Sequence, residues 1–256
     1  RLERDRGHEH RVQPPGSAVE HRVSQGGQWL SHVVVEGECS EVGGELLCDM
    51  DEELFAGSVA QPRVEDDTIA LETNLLATCG VEPEQVDVVV LSHLHFDHAG
   101  GATELNSDER LHPTFPNAEC VVQRREWMLA TADLPELRGS YPPENLLPLR
   151  DAGCLRLIDG DVEIVPGIRS IVTGGHTPAH QAVLIESGDK AAVYLAELCP
   201  TVAHLPIRWG MSYDLDVLQL RRKKSELLAM IADREWYAFF DHDSQTTHAR
   251  LTTHGR

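Results

Sequence analysis

The stretch Val86–Gly101, reading VDVVVLSHLHFDHAGG, limits the fold of this chain more than any other. Val86 to Leu91 is short, β-branched and almost wholly apolar, which predicts a strand buried on both faces of a sheet. The run ends abruptly in His93, His95, Asp97 and His98, placed where such a strand leaves the sheet. Side chains two apart point the same way in extended chain, so His93 and His95 converge on one ion while Asp97 and His98 face a second. Gly100 and Gly101 permit the tight backbone that the turn needs. Imidazole nitrogen and carboxylate oxygen suit zinc and similar first-row ions.

The motif Ser92-His-Leu-His-Phe-Asp-His98, followed by Ala99-Gly-Gly101, resembles the metal-binding signature of the metallo-β-lactamase superfamily. The resemblance extends to Thr173-Gly-Gly-His-Thr-Pro-Ala-His180, similar to the family's Pro-Gly-His-Thr-Pro-Gly-His segment, and to Phe239-Phe-Asp-His-Asp243, similar to its closing strand end. It implies that His176 joins His93 and His95 on the first metal, and that His242 joins Asp97 and His98 on the second. His180 is implied to support the site from behind. The family's bridging Asp falls at Glu197 in Tyr194-Leu-Ala-Glu197, a carboxylate one methylene longer. The implied fold is α/β, a four-layered αββα sandwich of the metallo-β-lactamase type.

With 256 residues the chain is long enough for one large core. Residues 1–28, polar and without regular periodicity, are expected to form a lead, and 29–256 the hydrolase domain. A formal charge of -20 argues against nucleic-acid or anionic-membrane partners, which need an excess of Lys and Arg. Cys39, Cys48, Cys79, Cys120, Cys154 and Cys199 are widely spaced, with no CxxC pair, which points to reduced cysteines and a cytoplasmic setting. The charged start Arg1–Arg6 carries no apolar core of a signal peptide, and without an initiating Met the true N-terminus is expected upstream.

The pattern predicts strands at 29–35 and 45–48, an amphipathic helix over 69–79, the strand 86–91, then a strand at 118–123 running into a helix at 124–130. Residues 134–148, rich in Pro and Leu, read as a loop bordering the site. Short runs at 162–165, 168–172, 182–185 and 191–195 predict a meander. A helix from 215 to about 231 carries Arg221-Arg-Lys-Lys224 on its solvated side, and 236–240 reads as the last buried strand.

Two divalent ions, zinc first with iron or manganese as alternatives, imply a bridging hydroxide as nucleophile, since coordination lowers the pKa of water to about 7. Asp97 is then both ligand and proton acceptor. Within the superfamily the motifs look most similar to the N-acyl-homoserine lactonase-like branch, which implies a small ester or lactone substrate and is compatible with a homo-oligomer. Where those lactonases carry a Tyr three residues after the bridging Asp, this chain has Pro200. His204 and Tyr213 lie within reach in sequence, and Trp209, Met211 and Tyr213 suit a substrate wall, a core or an interface alike. Phosphotriesterase, sulfatase or thioesterase-like hydrolysis is the alternative within the fold, followed by a non-catalytic or redox metal protein.

Overall fold

The computed structural model describes residues 10–13, 31–35, 38–42 and 81–253. They belong to two compact units, one made of Arg1–Gly27 with Gly167–Arg256 and the other of Gln28–Pro166. In chain order the first strand, β1 (His10–Gln13), belongs to the former unit.

In the unit 28–166, β2 (Ser31–Val35) and β3 (Glu38–Val42) form an antiparallel pair. The partner of β2 thus precedes Gly43-Gly44, whereas the pattern had placed a strand after it. The expected strand 45–48 and helix 69–79 lie outside the described residues. The metal motif's strand is β4 (Val86–Val90), and the turn of helix α1 (Phe96–Ala99) follows it. A small ribbon, β5 (Thr103–Leu105) with β6 (Leu111–Pro113), leads to β7 (Glu119–Gln123) and helix α2 (Arg124–Ala130). Helix α3 (Pro143–Asp151), β8 (Leu155–Ile158) and β9 (Glu163–Val165) complete the unit.

The main sheet runs β3-β2-β4-β7-β8, with β4 parallel to both neighbours. A central parallel strand is covered on both faces, which is why Val86, Val88, Val89 and Val90 are all buried and only Asp87 at its start is exposed. Leu91, Leu94, Cys120, Val122, Trp127, Leu146 and Leu149 pack into the same core. The expected loop holds over 134–142 and is corrected over 143–148 by helix α3. Pro143 opens it at a position where no N–H is required, and Leu146 and Leu149, three apart, turn one face into the core.

In the other unit, β10 (Ile168–Val172), β11 (Gln181–Ser187) and β12 (Lys190–Tyr194) form the expected antiparallel meander. Helix α4 (Val217–Asp233) follows, then β13 (Tyr237–Phe239) and β14 (His248–Thr253). The strands are ordered β1-β14-β13-β12-β11-β10, with β13 parallel to β12. β14 is a strand beyond the one read as last, and its signal is the alternation that buries Ala249 and Leu251. β1 pairs antiparallel with β14, so a segment read as an irregular lead contains a strand, held through backbone pairing that side-chain periodicity does not report.

Helix α4 is capped by the Asp216 side chain, which accepts from the Gln219 N–H at 2.9 Å. Its buried stripe is Leu220, Lys224, Leu227, Leu228 and Ile231. Lys224 therefore lies on the buried face, which corrects its own solvated placement, while Arg222 of the same run is exposed. Its ammonium donates to the carbonyl of His204 at 2.8 Å and to that of Trp209. Burial lowers the Lys224 pKa from its ordinary value. No helix among the described residues is long and apolar enough to cross a membrane.

Candidate metal centre

The first group of donors stands where β4 leaves its sheet. His93 is fully buried, and its Nδ1 is 2.9 Å from the Ser92 hydroxyl. Its Nε2 points at Nδ1 of His95 across 3.1 Å. The two ring nitrogens face each other closely enough to share one proton or one cation. His95 is the N-cap of α1, and its carbonyl accepts from the N–H groups of His98 and Ala99 at 3.0 and 2.9 Å. That single turn brings His98 back over His93, with ring centroids 4.2 Å apart, and sets its Nε2 3.7 Å from the Asp97 carboxylate. The sequence thus brings all four residues of this motif together.

A support behind this loop was not visible in the sequence. The carboxylate of Glu126, on α2 and wholly buried, accepts from the Leu94 N–H at 3.3 Å and from the Tyr141 hydroxyl at 3.0 Å. Tyr141 lays its ring against His95 at 4.8 Å, and the Phe96 N–H donates to Ser140 at 2.9 Å. Burial and then the neighbouring Glu126 charge push the Tyr141 hydroxyl far above its usual range, so it stays a donor. The loop is fixed in place by one hydrogen bond from Leu94 to the Glu126 carboxylate, which Tyr141 also holds, and one from Phe96 to the Ser140 backbone.

The second group belongs to the unit 167–256. His176 follows Gly174 and Gly175, whose φ values of +59° and +95° favour glycine. A Cβ on Gly175 would meet the Leu220 backbone at 2.6 Å, so α4 packs directly on the turn that carries His176. Gly175→Ala is expected to cost about 2–4 kcal/mol from strain and overpacking, read as a lower midpoint in urea unfolding at unchanged slope.

His176 Nδ1 lies 3.0 Å from Asp214 Oδ1, both side chains being almost entirely buried. The other Asp214 oxygen accepts from the Met211 N–H at 2.7 Å. A buried carboxylate on Nδ1 holds the proton there and leaves the Nε2 lone pair for a metal, the usual support of a metal-binding histidine. Asp214 was missed by sequence reasoning, since nothing in the chain links positions 38 residues apart. Asp214→Asn puts an amide N–H against one of two donors and is expected to weaken metal binding about 10–100-fold, measured by competition with a chelator.

Glu197 is buried just after β12, preceded by Ala196 at φ +45°, a left-handed conformation uncommon for alanine. Its Oε1 lies 2.8 Å from His242 Nε2. Its backbone N–H donates to His180 Nε2 at 3.2 Å, and His180 Nδ1 lies 2.6 Å from the Thr173 hydroxyl. Both nitrogens of His180 are engaged within the protein, so this residue positions Glu197. His242 follows β13, its backbone held by Pro200 at 3.0 Å and its side chain partly open to solvent. His204 sits at Thr201, Nδ1 to Oγ1 2.8 Å, and burial, then the Lys224 charge, lower its pKa. Trp209 and Tyr213 are exposed, which removes the core reading for both, and Tyr213 stands over the His176 ring at 5.5 Å.

Buried imidazoles with carboxylate partners form an oxygen and nitrogen donor set that fits divalent first-row ions. The family model of the metallo-beta-lactamase superfamily matches residues 62–242. The chain belongs to this superfamily. Over 150 residues this member is 34% identical to an N-acyl homoserine lactonase of Bacillus cereus, an alignment covering 57% of the chain and 52% of the relative. It thus spans about half the length of the lactonases that it matches. A probable metal-dependent hydrolase from Staphylococcus aureus shares 28% identity and a TM-score of 0.62, covering 72% of this chain and 68% of the other. An N-acyl homoserine lactone hydrolase with N-hexanoyl-L-homoserine at its catalytic metal centre shares 28% identity and a TM-score of 0.52, covering 67% and 61%. The expected α/β class and superfamily are therefore both met.

Proposed function

We propose that this superfamily member is a divalent-metal-dependent hydrolase, with zinc as its ion, acting on a small lactone or carboxylic ester. His93, His95 and His176 are assigned to one ion, and Asp97, His98, Glu197 and His242 to a second. The observation that carries the reading is the buried His176–Asp214 pair, at 3.0 Å, which presents one defined ring nitrogen to a ligand. The close approach of His93 Nε2 to His95 Nδ1 supports it.

When bound, such ions supply a water nucleophile at neutral pH and polarise the carbonyl under attack. The chain supplies the remainder. Asp214 keeps His176 in one tautomer; Glu126 and Tyr141 keep the His93–His95 loop from shifting; His180 and the turn at Ala196 fix the Glu197 carboxylate. Asp97 is assigned to accept a proton and release it to solvent, a role that its 42% side-chain exposure supports. Pro200 leaves no hydroxyl at the position where related lactonases carry a Tyr. Tyr213, exposed with its ring 5.5 Å from that of His176, is assigned that part.

The wide spacing of the cysteines supports a cytoplasmic setting for this activity. The test is hydrolysis, by the zinc-loaded full chain, of a panel of N-acyl homoserine lactones, simple carboxylic esters and phosphotriesters. Turnover of lactones or carboxylic esters above that of phosphotriesters supports the proposal. Turnover confined to phosphotriesters replaces the substrate class, and no turnover of any of the three overturns it.

A further inference from the structure

Cys120 and Cys154 lie with their sulfurs 4.0 Å apart, both in the free thiol form. Cys120 is buried as the second residue of β7, and Cys154 is half-buried immediately before β8. The two strands are adjacent and parallel, and the Cys120 N–H donates to the Cys154 carbonyl at 2.8 Å, so the backbones are already at the separation of neighbouring strands. A disulfide needs the sulfurs at about 2.05 Å, so the 4.0 Å gap has to close by about 2 Å. The Cys154 sulfur also donates to the carbonyl of Leu149, in the last turns of α3. The pair sits in the core cluster of the unit 28–166, where none of the residues assigned to the ions is a cysteine.

We infer that Cys120 and Cys154 form a reversible dithiol–disulfide couple, a modification site for low-molecular-weight disulfides such as glutathione disulfide. This inference is independent of the proposed hydrolysis. The more exposed Cys154 reacts first. Its thiolate attacks one sulfur of glutathione disulfide, forming a Cys154–glutathione mixed disulfide and releasing one glutathione thiolate. Cys120 then gives up its proton to solvent and attacks the Cys154 sulfur, expelling the second glutathione. Two protein thiols are oxidised, and one glutathione disulfide is reduced to two glutathiones. The order agrees with the charge preferences of the pair: the hydrogen bond with Cys120 lowers the Cys154 thiol to about 7, whereas the Cys154 contact, and then burial, push Cys120 far up. Closing the bond costs the Cys154 sulfur its hydrogen bond to the Leu149 carbonyl, which keeps the Cys154 N–H at 3.2 Å, so the oxidised form joins β7 to the residue before β8 while the end of α3 stays held.

The test treats the metal-loaded full chain with glutathione disulfide and maps its peptides without reduction. The expected product is a cross-link between the peptides holding Cys120 and Cys154, reversed by added dithiol. Before oxidation, iodoacetamide should modify Cys154 about tenfold or more faster than Cys199, a buried thiol whose pKa burial raises to about 12. In Cys120→Ala the reaction should stop at a stable glutathione adduct on Cys154. Should that variant fail to fold, the unreduced map of the parent chain decides by itself. A parent chain that keeps the adduct on Cys154 without a cross-link, or whose Cys154 is alkylated no faster than Cys199, overturns the inference.

Discussion

His93→Ala is expected to hydrolyse the best lactone or ester substrate at less than one hundredth of the parent rate and to retain less metal. The magnitude follows from comparison with the residues behind the ligands. Losing a hydrogen-bond partner of a metal-binding histidine already costs about 10–100-fold, and removing the ring itself costs more. His93 also occupies the middle of its group, with Ser92 on one nitrogen, His95 facing the other and His98 packed over its ring. Its loss leaves His95 without the neighbour that defines where its lone pair points. The check is kcat and metal content on the same preparation, with circular dichroism to show that the sheet persists. Parent-like activity in His93→Ala would remove this residue from the site.

A second large effect concerns stability. Lys224→Ala is expected to lower the unfolding free energy by about 4–6 kcal/mol, from two orphaned carbonyls at about 1–3 kcal/mol each and the lost burial of the side-chain methylenes. In a domain of this size that corresponds to a fall in Tm of roughly 10–20 °C. The two acceptors, His204 and Trp209, belong to the segment between β12 and α4, which also carries Met211, Tyr213 and Asp214. The ammonium thus ties the helix to the loop that braces His176. Lys224→Met restores the packing but leaves both carbonyls unpaired, so it should recover only part of the loss. Thermal unfolding of the two variants separates these contributions, and an unchanged Tm in both would show that the loop carbonyls find other donors.

Lys224 also shows what the sequence offered and what it concealed. Read as part of Arg221-Arg-Lys-Lys224, it belongs to a charge run, and charge runs on helices are usually solvated. Read by helical spacing, it falls midway between Leu220 and Leu228 on the buried stripe. The second reading was available and correct. The motif His93–His98 was legible for the opposite reason, because four donor side chains next to a buried apolar strand have few packing explanations. The meander from β10 to β12 was equally plain from its Gly and Pro punctuation.

Asp214, Glu126 and Tyr141 were not legible. Each acts through a contact made across the fold, 38 residues from His176 for Asp214 and 32 from Leu94 for Glu126. No spacing rule connects such positions. Helix α3 was obscured by Pro142, Pro143 and Pro148, which suggest a loop until the first two are seen at the helix start. The substitution of Glu197 for the family's Asp is visible in the sequence alone, yet its accommodation is structural: the left-handed Ala196 and the N–H bond to His180 set where the longer carboxylate begins.

Metal content of the purified full chain, after zinc loading and removal of excess ion, decides the two-ion assignment when set beside that of Glu197→Asp. That assignment predicts close to two equivalents of zinc per chain in both, with hydrolysis of a lactone or ester following the metal content. A chain that binds one equivalent or none, while Glu197→Asp binds two and gains activity, would contradict it. The natural Glu197 would then be what disables the second site.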